Sequence, residues 1–315
     1  SNDYAHAEGH TTVASGQYSH AEGLFTTASG QYTHAQGDST KALAGASHAE
    51  GGSTQVASVA YGGHAEGMQT IVSGTYAHTE GNATIAYGGW SHAEGYLAIA
   101  SGVASHAEGY QTLASGAYSH AEGYLTVASG TYSHAEGSQT KALADFSHTE
   151  GFFTRVTVDA YGAHAEGNAT IAIGAESHAE GVSTQASGTF SHAEGRGTTA
   201  IGEASHAEGE NTITYADYSH AGGLGTITSG SHQTAVGKYN KRGNTTSLFV
   251  IGNGTGDPDA VRSDLFIANT DGIQITGSVN ISGSLNVIGP TITTTKAGSA
   301  SAASFTSDPL IVTIT

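Results

Sequence analysis

Histidine recurs at fixed intervals along most of this chain: His6, His20, His34, His48, His64, His78, His92, His106, His120, His134, His148, His164, His178, His192, His206 and His220. The step is fourteen residues, except for sixteen from His48 to His64 and from His148 to His164. Each histidine is followed by Ala or Thr, then usually Glu, then always Gly, so the unit reads S-H-A-E-G-x-x-T-x-A-S-G-x-Y. Sixteen copies run from about Tyr4 to Ser231. A fixed short period of this kind means a stack of like units that share one continuous interior, so each coil depends on its neighbours for burial.

Within the unit, S-H-A-E and T-x-A-S alternate with period two and each is closed by glycine, the pattern of two short strands with turns between them. Alternation places Ser and Ala of the first strand on one face and His and Glu on the other. In the second strand Thr and Ala share the inner face, as at Thr12 and Ala14 or Thr126 and Ala128. The interior is therefore lined by very small side chains, and glycine, at 46 residues, is about twice its average usage. These features predict an all-β fold, a β-roll or β-solenoid of sixteen coils of about fourteen residues over 1–231. With strands about 4.8 Å apart the roll is expected to be roughly 75 Å long.

The two sixteen-residue coils recur in matching company. Thr40-Lys41-Ala42-Leu43-Ala44 precedes one and Thr140-Lys141-Ala142-Leu143-Ala144 the other, while Asn82-Ala83-Thr84-Ile85-Ala86 and Asn168-Ala169-Thr170-Ile171-Ala172 follow them. The extra residues predict a local protrusion at Val59-Ala60-Tyr61-Gly62 and Asp159-Ala160-Tyr161-Gly162. The signature ends after His232, where larger apolar residues cluster (Leu248, Phe249, Val250, Leu265, Phe266, Ile267), and 232–275 is expected to be a β-rich cap or neck. A six-residue repeat beginning at Gly277 and Gly283 predicts a thin β stem over 276–290, and 291–315 is a Thr/Ser/Ala-rich tail. Because Tyr4 enters the repeat in full register, the chain is expected to be part of a longer parent.

Several function classes are disfavoured. A net charge of −18 with only nine scattered basic residues offers no surface for a phosphate backbone, so nucleic acid is not an expected partner. No apolar run approaches the ~20 residues of a spanning helix, and no membrane insertion is expected. The absence of cysteine excludes disulfides and thiolate metal sites. A two-stranded roll with an Ala/Ser/Thr interior buries little apolar area against an ordering cost of about 1–2 kcal/mol per residue. Outward positions are therefore expected to be buried between chains, with Val13, Ile71, Ile85, Ile99, Leu113, Val127, Ile171, Ile213 and Ile227 lining the seam.

His and Glu stand together in fourteen coils, the exceptions being Gln36 and Gly222. Imidazole and carboxylate two apart on a strand face the same way and both ligate zinc-like ions. A metal site is usually a local exception, however, and a pair in nearly every coil reads better as a structural ladder of His-to-Glu hydrogen bonds, typified by His92, Glu94, His106, Glu108, His120, Glu122, His134 and Glu136. No metal, cofactor or catalytic residue is expected, since sixteen equivalent histidines define no unique pocket. Aromatic residues form two columns. Tyr18, Tyr32, Tyr76, Trp90, Tyr118, Tyr132, Phe146, Phe190 and Tyr218 precede the next histidine by two, and Tyr96, Tyr110, Tyr124 and Phe152 follow the H-A-E-G glycine. Burial of these rings is the simpler reading, with Tyr96, Tyr110 and Tyr124 the candidates for glycan contact because they sit at a turn. The runs Gly222-Gly223-Leu224-Gly225 and Gly252-Asn253-Gly254-Thr255-Gly256 match phosphate loops weakly and lack the following helix.

The fourteen-residue unit with fixed Ala and Gly resembles the head repeats of trimeric autotransporter adhesins, a resemblance that implies left-handed parallel β-rolls in a threefold bundle. The histidine form, as in Ser119-His120-Ala121-Glu122-Gly123 with Ala128-Ser129-Gly130, is more similar to repeats of bacteriophage tail fibres and tail-associated proteins. Val236-Gly237-Lys238-Tyr239-Asn240, Phe249-Val250-Ile251-Gly252-Asn253-Gly254-Thr255 and Arg262-Ser263-Asp264 resemble the segment that follows the repeats there. Those proteins often carry a self-cleaving C-terminal chaperone, and no such domain is visible in this sequence. The resemblance implies an intertwined homotrimer in a virion tail or other extracellular fibre, which gives reach and attachment. Its expected partners are further copies of itself, other fibre or tail subunits, and a host surface glycan or protein. A bacterial trimeric adhesin head is the second expectation, and a tailspike-type glycan-degrading enzyme a third that the uniform ladder disfavours.

Overall fold

A computed structural model describes residues 4–276, and the expected stem and tail lie outside the described residues, save for Thr276. The chain folds as a β-solenoid with two strands per coil and, among the described residues, one short 3-10 turn at Asp259–Val261 as its only helical element. Each histidine-bearing coil contributes a long strand, five residues as at His106–Tyr110 in every coil but the one at His78–Thr79, to a 20-stranded sheet and a two-residue strand such as Leu113–Ala114 to a 16-stranded sheet. Successive coils pair in parallel with like residues opposite like: His106 faces His120, Ala107 faces Ala121, and Glu108 faces Glu122.

The interior follows from the alternation. Ala107, Ala114, Ala121 and Ala128 are fully buried, as are Thr126 and Thr140, while Ser105 and Ser119 are nearly so. Most inner serines turn their hydroxyls to their own corner, Ser119 Oγ donating to the Gly116 carbonyl at 2.7 Å, whereas inner threonine hydroxyls such as those of Thr126 and Thr140 have no hydrogen-bond partner. Backbone pairing continues around the corners. Residues such as Tyr118 (φ 57°) and Leu125 (φ 56°) adopt the left-handed conformation, and their amides donate to Val103 and Tyr110 carbonyls of the preceding coil at 2.8 and 2.9 Å. The conformational cost of a left-handed non-glycine residue is thus set against one coil-to-coil hydrogen bond. The glycine closing each long strand has no such latitude. Gly123 has φ +107°, and a Cβ there would lie 2.2 Å from the Gly137 carbonyl oxygen of the next coil.

The sixteen-residue coils keep this frame. Their two additional residues form turns at 58–59 and 158–159, with Val59 and Val158 strongly exposed, and Ala60 and Ala160 fold back into the core. The protrusion thus lies slightly earlier than expected, because Tyr61-Gly62 and Tyr161-Gly162 resume the ordinary corner, with Gly62 and Gly162 amides donating to Gly45 and Asp145 carbonyls. Val56 and Val156 take the inner place held by alanine in most coils, and Gly63 and Ala163 the place of the inner serine. Added volume at one inner position is matched by loss at the other, which a close-packed interior requires.

The coil register outlasts the histidine signature. Thr234–Lys238 pairs with His220–Leu224, Ala235 opposite Ala221 and Gly237 opposite Gly223, and Ser247–Asn253 adds a further parallel strand with Val250 opposite Ala235. What the roll requires is the small inner residue and the glycine, both retained here, whereas His and Glu face outward and can be lost. The roll therefore makes about two rungs more than the sixteen signature-bearing coils. Asp264–Asn269 and Gly272–Ile275 then pair antiparallel, reversing the chain direction. The short-strand sheet stops at Ile227–Thr228, and a side chain closes it: Asn240 donates to the Ile227 carbonyl at 2.8 Å and accepts from the Ile227 amide at 2.7 Å. Gln233 likewise accepts from the Ser229 amide and donates to the Asn244 and Ser247 carbonyls. Arg262, nearly fully buried, donates to the Gly225 and Asn240 carbonyls at 2.8 and 3.0 Å, pairs with Asp257, and lies over the Tyr239 ring.

Candidate functional site

The chemistry-bearing side chains lie on the outer face of the long-strand sheet, where alternation from inner Ser and Ala must send His and Glu. The rise per coil sets the distance between equivalent rings, and the imidazoles stack: His92–His106 and His106–His120 are 4.8 Å apart between centroids, and His120–His134 is 4.9 Å, each pair within 2° of parallel. The stack runs without a break from His20 to His220. A parallel glutamate column stands beside it. Within a coil, Nε2 lies 3.7 Å from the carboxylate in His92–Glu94, 3.6 Å in His106–Glu108, 3.7 Å in His120–Glu122 and 3.9 Å in His134–Glu136.

The structure therefore brings all eight representative residues into one double column, but their contacts differ from the hydrogen-bonded ladder expected from sequence. Hydrogen-bonding geometry between His and Glu is met only toward the C-terminal end, at His206–Glu194 (3.3 Å) and His220–Glu208 (3.2 Å), each to the preceding coil. Elsewhere ring stacking fixes the imidazoles and leaves Nε2 without a hydrogen bond to the carboxylate, either because it lies 3.5 Å or more away or, as at His192–Glu180 (3.3 Å), because the alignment is wrong. The Nε2 atoms of His92, His106, His120 and His134 are shielded from solvent and have no hydrogen-bond partner.

Crowding of like groups shapes the protonation of both columns. His48, His78, His92, His106, His134, His148, His164 and His192 are held below the ordinary imidazole value, first by burial and then by neighbouring imidazoles. Glu94, Glu122, Glu150 and Glu180 are pushed up to about 7, first by side-chain hydrogen bonds with adjacent glutamates. Glu80, Glu108, Glu136, Glu166 and Glu194 are lowered by the same bonds. Alternate carboxyls thus share protons along the column.

These shifts fix the sign of a pH effect. A depressed histidine binds fewer protons folded than unfolded, so its contribution is complete above 6.5 and is lost as pH falls through that value. A glutamate raised to about 7 acts oppositely, its contribution fading as pH rises toward 7. The two columns therefore pull in opposite directions below pH 7, and replacing Glu94 and Glu122 by Gln removes part of the second contribution, so the variant's melting temperature in chelator, relative to the unmutated chain, is expected to rise from about pH 5 to about pH 8. A relative melting temperature that stays level or falls over that interval would contradict this account.

The aromatic residues are more exposed than expected. Tyr96, Tyr110 and Tyr124 are 43%, 41% and 45% exposed, and they stack on one another at 5.1 and 5.2 Å. Their ring faces are largely covered by each other, so a sugar meets edges and hydroxyls, with free faces only toward Asn82 and Ser138. The second column stacks in the same way, as at Tyr118–Tyr132.

The two glycine-rich runs are structural in their placement. Gly222 and Gly223 lie within the strand His220–Leu224, Gly225 forms a left-handed corner, and Gly252 lies within the strand Ser247–Asn253, opposite Gly237. Among the described residues no helix is long and apolar enough to cross a membrane. Sequence reasoning missed Gln233, Asn240 and Arg262, whose capping roles occur once and so carry no periodic signal.

No curated protein matches the chain. The family model of the YadA head domain repeat matches residues 7–33, 93–119, 161–177 and 193–213, and over these coils the chain is similar to that adhesin repeat.

Proposed function

We propose that the chain is a structural segment of an extended surface fibre, a homotrimer that provides reach and presents a surface for attachment, and that the fibre is a phage tail fibre. The observation that carries the structural role is the uninterrupted coil stack, along which a trough is lined by repeated residues of successive coils, Glu8, Gly9, Glu22, Gly23, Gln36 and Gly37 among them. A non-repeating cleft lies where the roll meets its cap, between Ile213, Ile227, Tyr239 and Arg262. A structure that repeats its surface sixteen times suits spacing and multivalent contact better than catalysis at one point. No enzymatic activity is part of this reading.

Trimerisation is supported by the outer face of the short-strand sheet. Ile71, Ile85, Ile99, Leu113 and Val127 form a continuous half-buried apolar column there, and Ile171 and Ile213 continue it beyond Lys141 and Arg155 and beyond Gln185 and Thr199, whereas Ile227, also expected on the seam, is buried within its own chain. Beside the column stand the exposed Tyr87, Ile173, Ile201 and Tyr215. The apolar run from Ile71 to Val127 marks an interface. Light scattering is expected to give the mass of three chains, and Ile99→Lys with Leu113→Lys to lower the assembly's stability sharply. A stable, folded monomer in the unmutated chain would refute the trimer.

The second reading, a bacterial adhesin head, is favoured by the match to the YadA head domain repeat. The phage reading rests on the resemblance of the Val236–Asp264 segment. The two predict different anchors in the parent chain, a virion attachment domain in one and a membrane-anchored barrel in the other.

A further inference from the structure

The histidine column leaves one group unaccounted for. Nε2 of His64, His78, His92, His106, His120 and His134 is shielded and unpartnered, although the rings as a whole are only about two-thirds covered, His106 being 35% exposed. A buried polar nitrogen with no partner requires an explanation, of which a bound ion is one. These nitrogens are also grouped: in His92–Glu94–His106, His106–Glu108–His120 and His120–Glu122–His134, one ligand atom from each residue lies within 4.8 Å of the others. The same holds at His64–Glu66–His78 and His164–Glu166–His178.

We infer that the histidine and glutamate columns form a linear array of sites for a borderline divalent cation such as Zn2+, each made by two imidazoles of successive coils and the carboxylate beside them. Neutral imidazole and carboxylate are the ligands such an ion prefers when thiolates are absent. With bond lengths of about 2.0–2.2 Å, tetrahedral ligand atoms stand roughly 3.3–3.5 Å apart, so the parallel rings must tilt and their ligand atoms close by up to about 1.5 Å. The outer face permits this, because the rings are about a third exposed and, in the triads named, stacking is the contact that fixes them. A water completes the set. Hard cations are poorly served, since Ca2+ takes about six to eight oxygen ligands and each gap offers one carboxylate.

Repetition, which argues against a metal site in a single coil, follows naturally for a site built between coils. It also limits the stoichiometry. Neighbouring triads share a histidine, as His106 and His120 do, and one Nε2 binds one ion. Filling therefore proceeds at alternate gaps, and the sixteen column histidines serve at most eight ions. Two dications in adjacent gaps, about 4.8 Å apart, also repel each other.

The test uses the full chain, stripped with chelator and dialysed at pH 7.5 against tens of micromolar Zn2+, followed by counting of retained metal. Several ions per chain are expected, saturating at no more than eight. The double variant His106→Gln/His120→Gln should lose one or two of them. In case that variant disturbs the stack, Co2+ loaded into the unmutated chain gives a second measure: the intense visible bands of tetrahedral coordination are expected, with no loss on adding excess Mg2+. No retained Zn2+, a count indifferent to the histidine replacements, or a Co2+ spectrum of octahedral aquo type displaced by Mg2+ would each overturn the proposal.

Discussion

Gly123→Ala is expected to divide the roll into two separately melting blocks. The new methyl would meet the Gly137 carbonyl oxygen at 2.2 Å and the Gly137 backbone nitrogen and carbonyl carbon at 3.1 Å. Those atoms are backbone, so no side chain can swing aside, and the φ of +107° is itself unsuited to an L side chain. Relief requires the gap between two coils to open, at the expense of the strand pairing from His120 to Ser138. A loss of about 4 kcal/mol or more is expected, in the range reserved for overpacking combined with backbone strain. Because coils interact only with their neighbours, such a defect lowers cooperativity as well as stability. Calorimetry should show two transitions in place of one, and limited proteolysis should cut between 120 and 140. The chain supplies its own control. The corner glycine column, where a Cβ at Gly116 would also crowd Gly130, nevertheless holds Ala44, Ala60, Ala144, Ala160 and Ala216 in five coils. Ala44 and Ala144 stand just before the sixteen-residue coils, whose corners are displaced. The strand glycine has no exception in sixteen coils. Gly116→Ala should therefore cost less than Gly123→Ala, and the reverse order would show that the close approach at the strand is not what holds the coils in register.

The same contrast between periodic and singular features explains how much could be read from sequence. The period gave the solenoid, and alternation gave the inner Ser, Ala and Thr and the outer His and Glu, because both depend only on strand geometry. The number of rungs was harder to see. The signature is conspicuous in His and Glu, which face outward, while the roll is propagated by Ala235, Gly237, Val250 and Gly252, which resemble an ordinary apolar segment. The contacts within the columns were not legible either. Side-chain alternation places His106 beside Glu108, but only the rise between coils shows that the rings stack at 4.8 Å and hold Nε2 at 3.6 Å from the carboxylate. Tyr96, Tyr110 and Tyr124 were placed correctly on the turn side of the strand, yet their mutual stacking, which covers the faces a sugar would use, depends on the same rise.

Arg262→Met is expected to unfasten the C-terminal end of the roll and make the chain prone to associate through its exposed edge. Each coil satisfies the one before it, so the last coil must present unpaired backbone unless something else meets it. Here three side chains do so. Asn240 bonds both backbone groups of Ile227, Gln233 spans from the corner at Ser229 to the carbonyls of Asn244 and Ser247, and Arg262 reaches the Gly225 and Asn240 carbonyls from the following hairpin. Methionine fills much of the same volume without donors, leaving the Gly225, Asn240 and Asp257 backbone carbonyls without their donor while the exposed Asp257 carboxylate keeps Arg242; a buried acceptor left unmet costs about 1–3 kcal/mol. Asn240→Ala removes the mimicry of a coil at Ile227 directly and should act in the same direction. Truncation after Ser231 removes Gln233, Asn240, Arg262 and the reversing hairpin together while keeping every histidine-bearing coil, and should give chains that aggregate or fail to assemble. The point variants separate capping from simple loss of length, since they retain all the strands. Hydrogen exchange should show the protection of amides near Ile227 and Ser229 falling first, with coils near His106 unaffected. If truncated chains instead form soluble rods of undiminished stability, the roll closes its own end and 232–275 is not a cap.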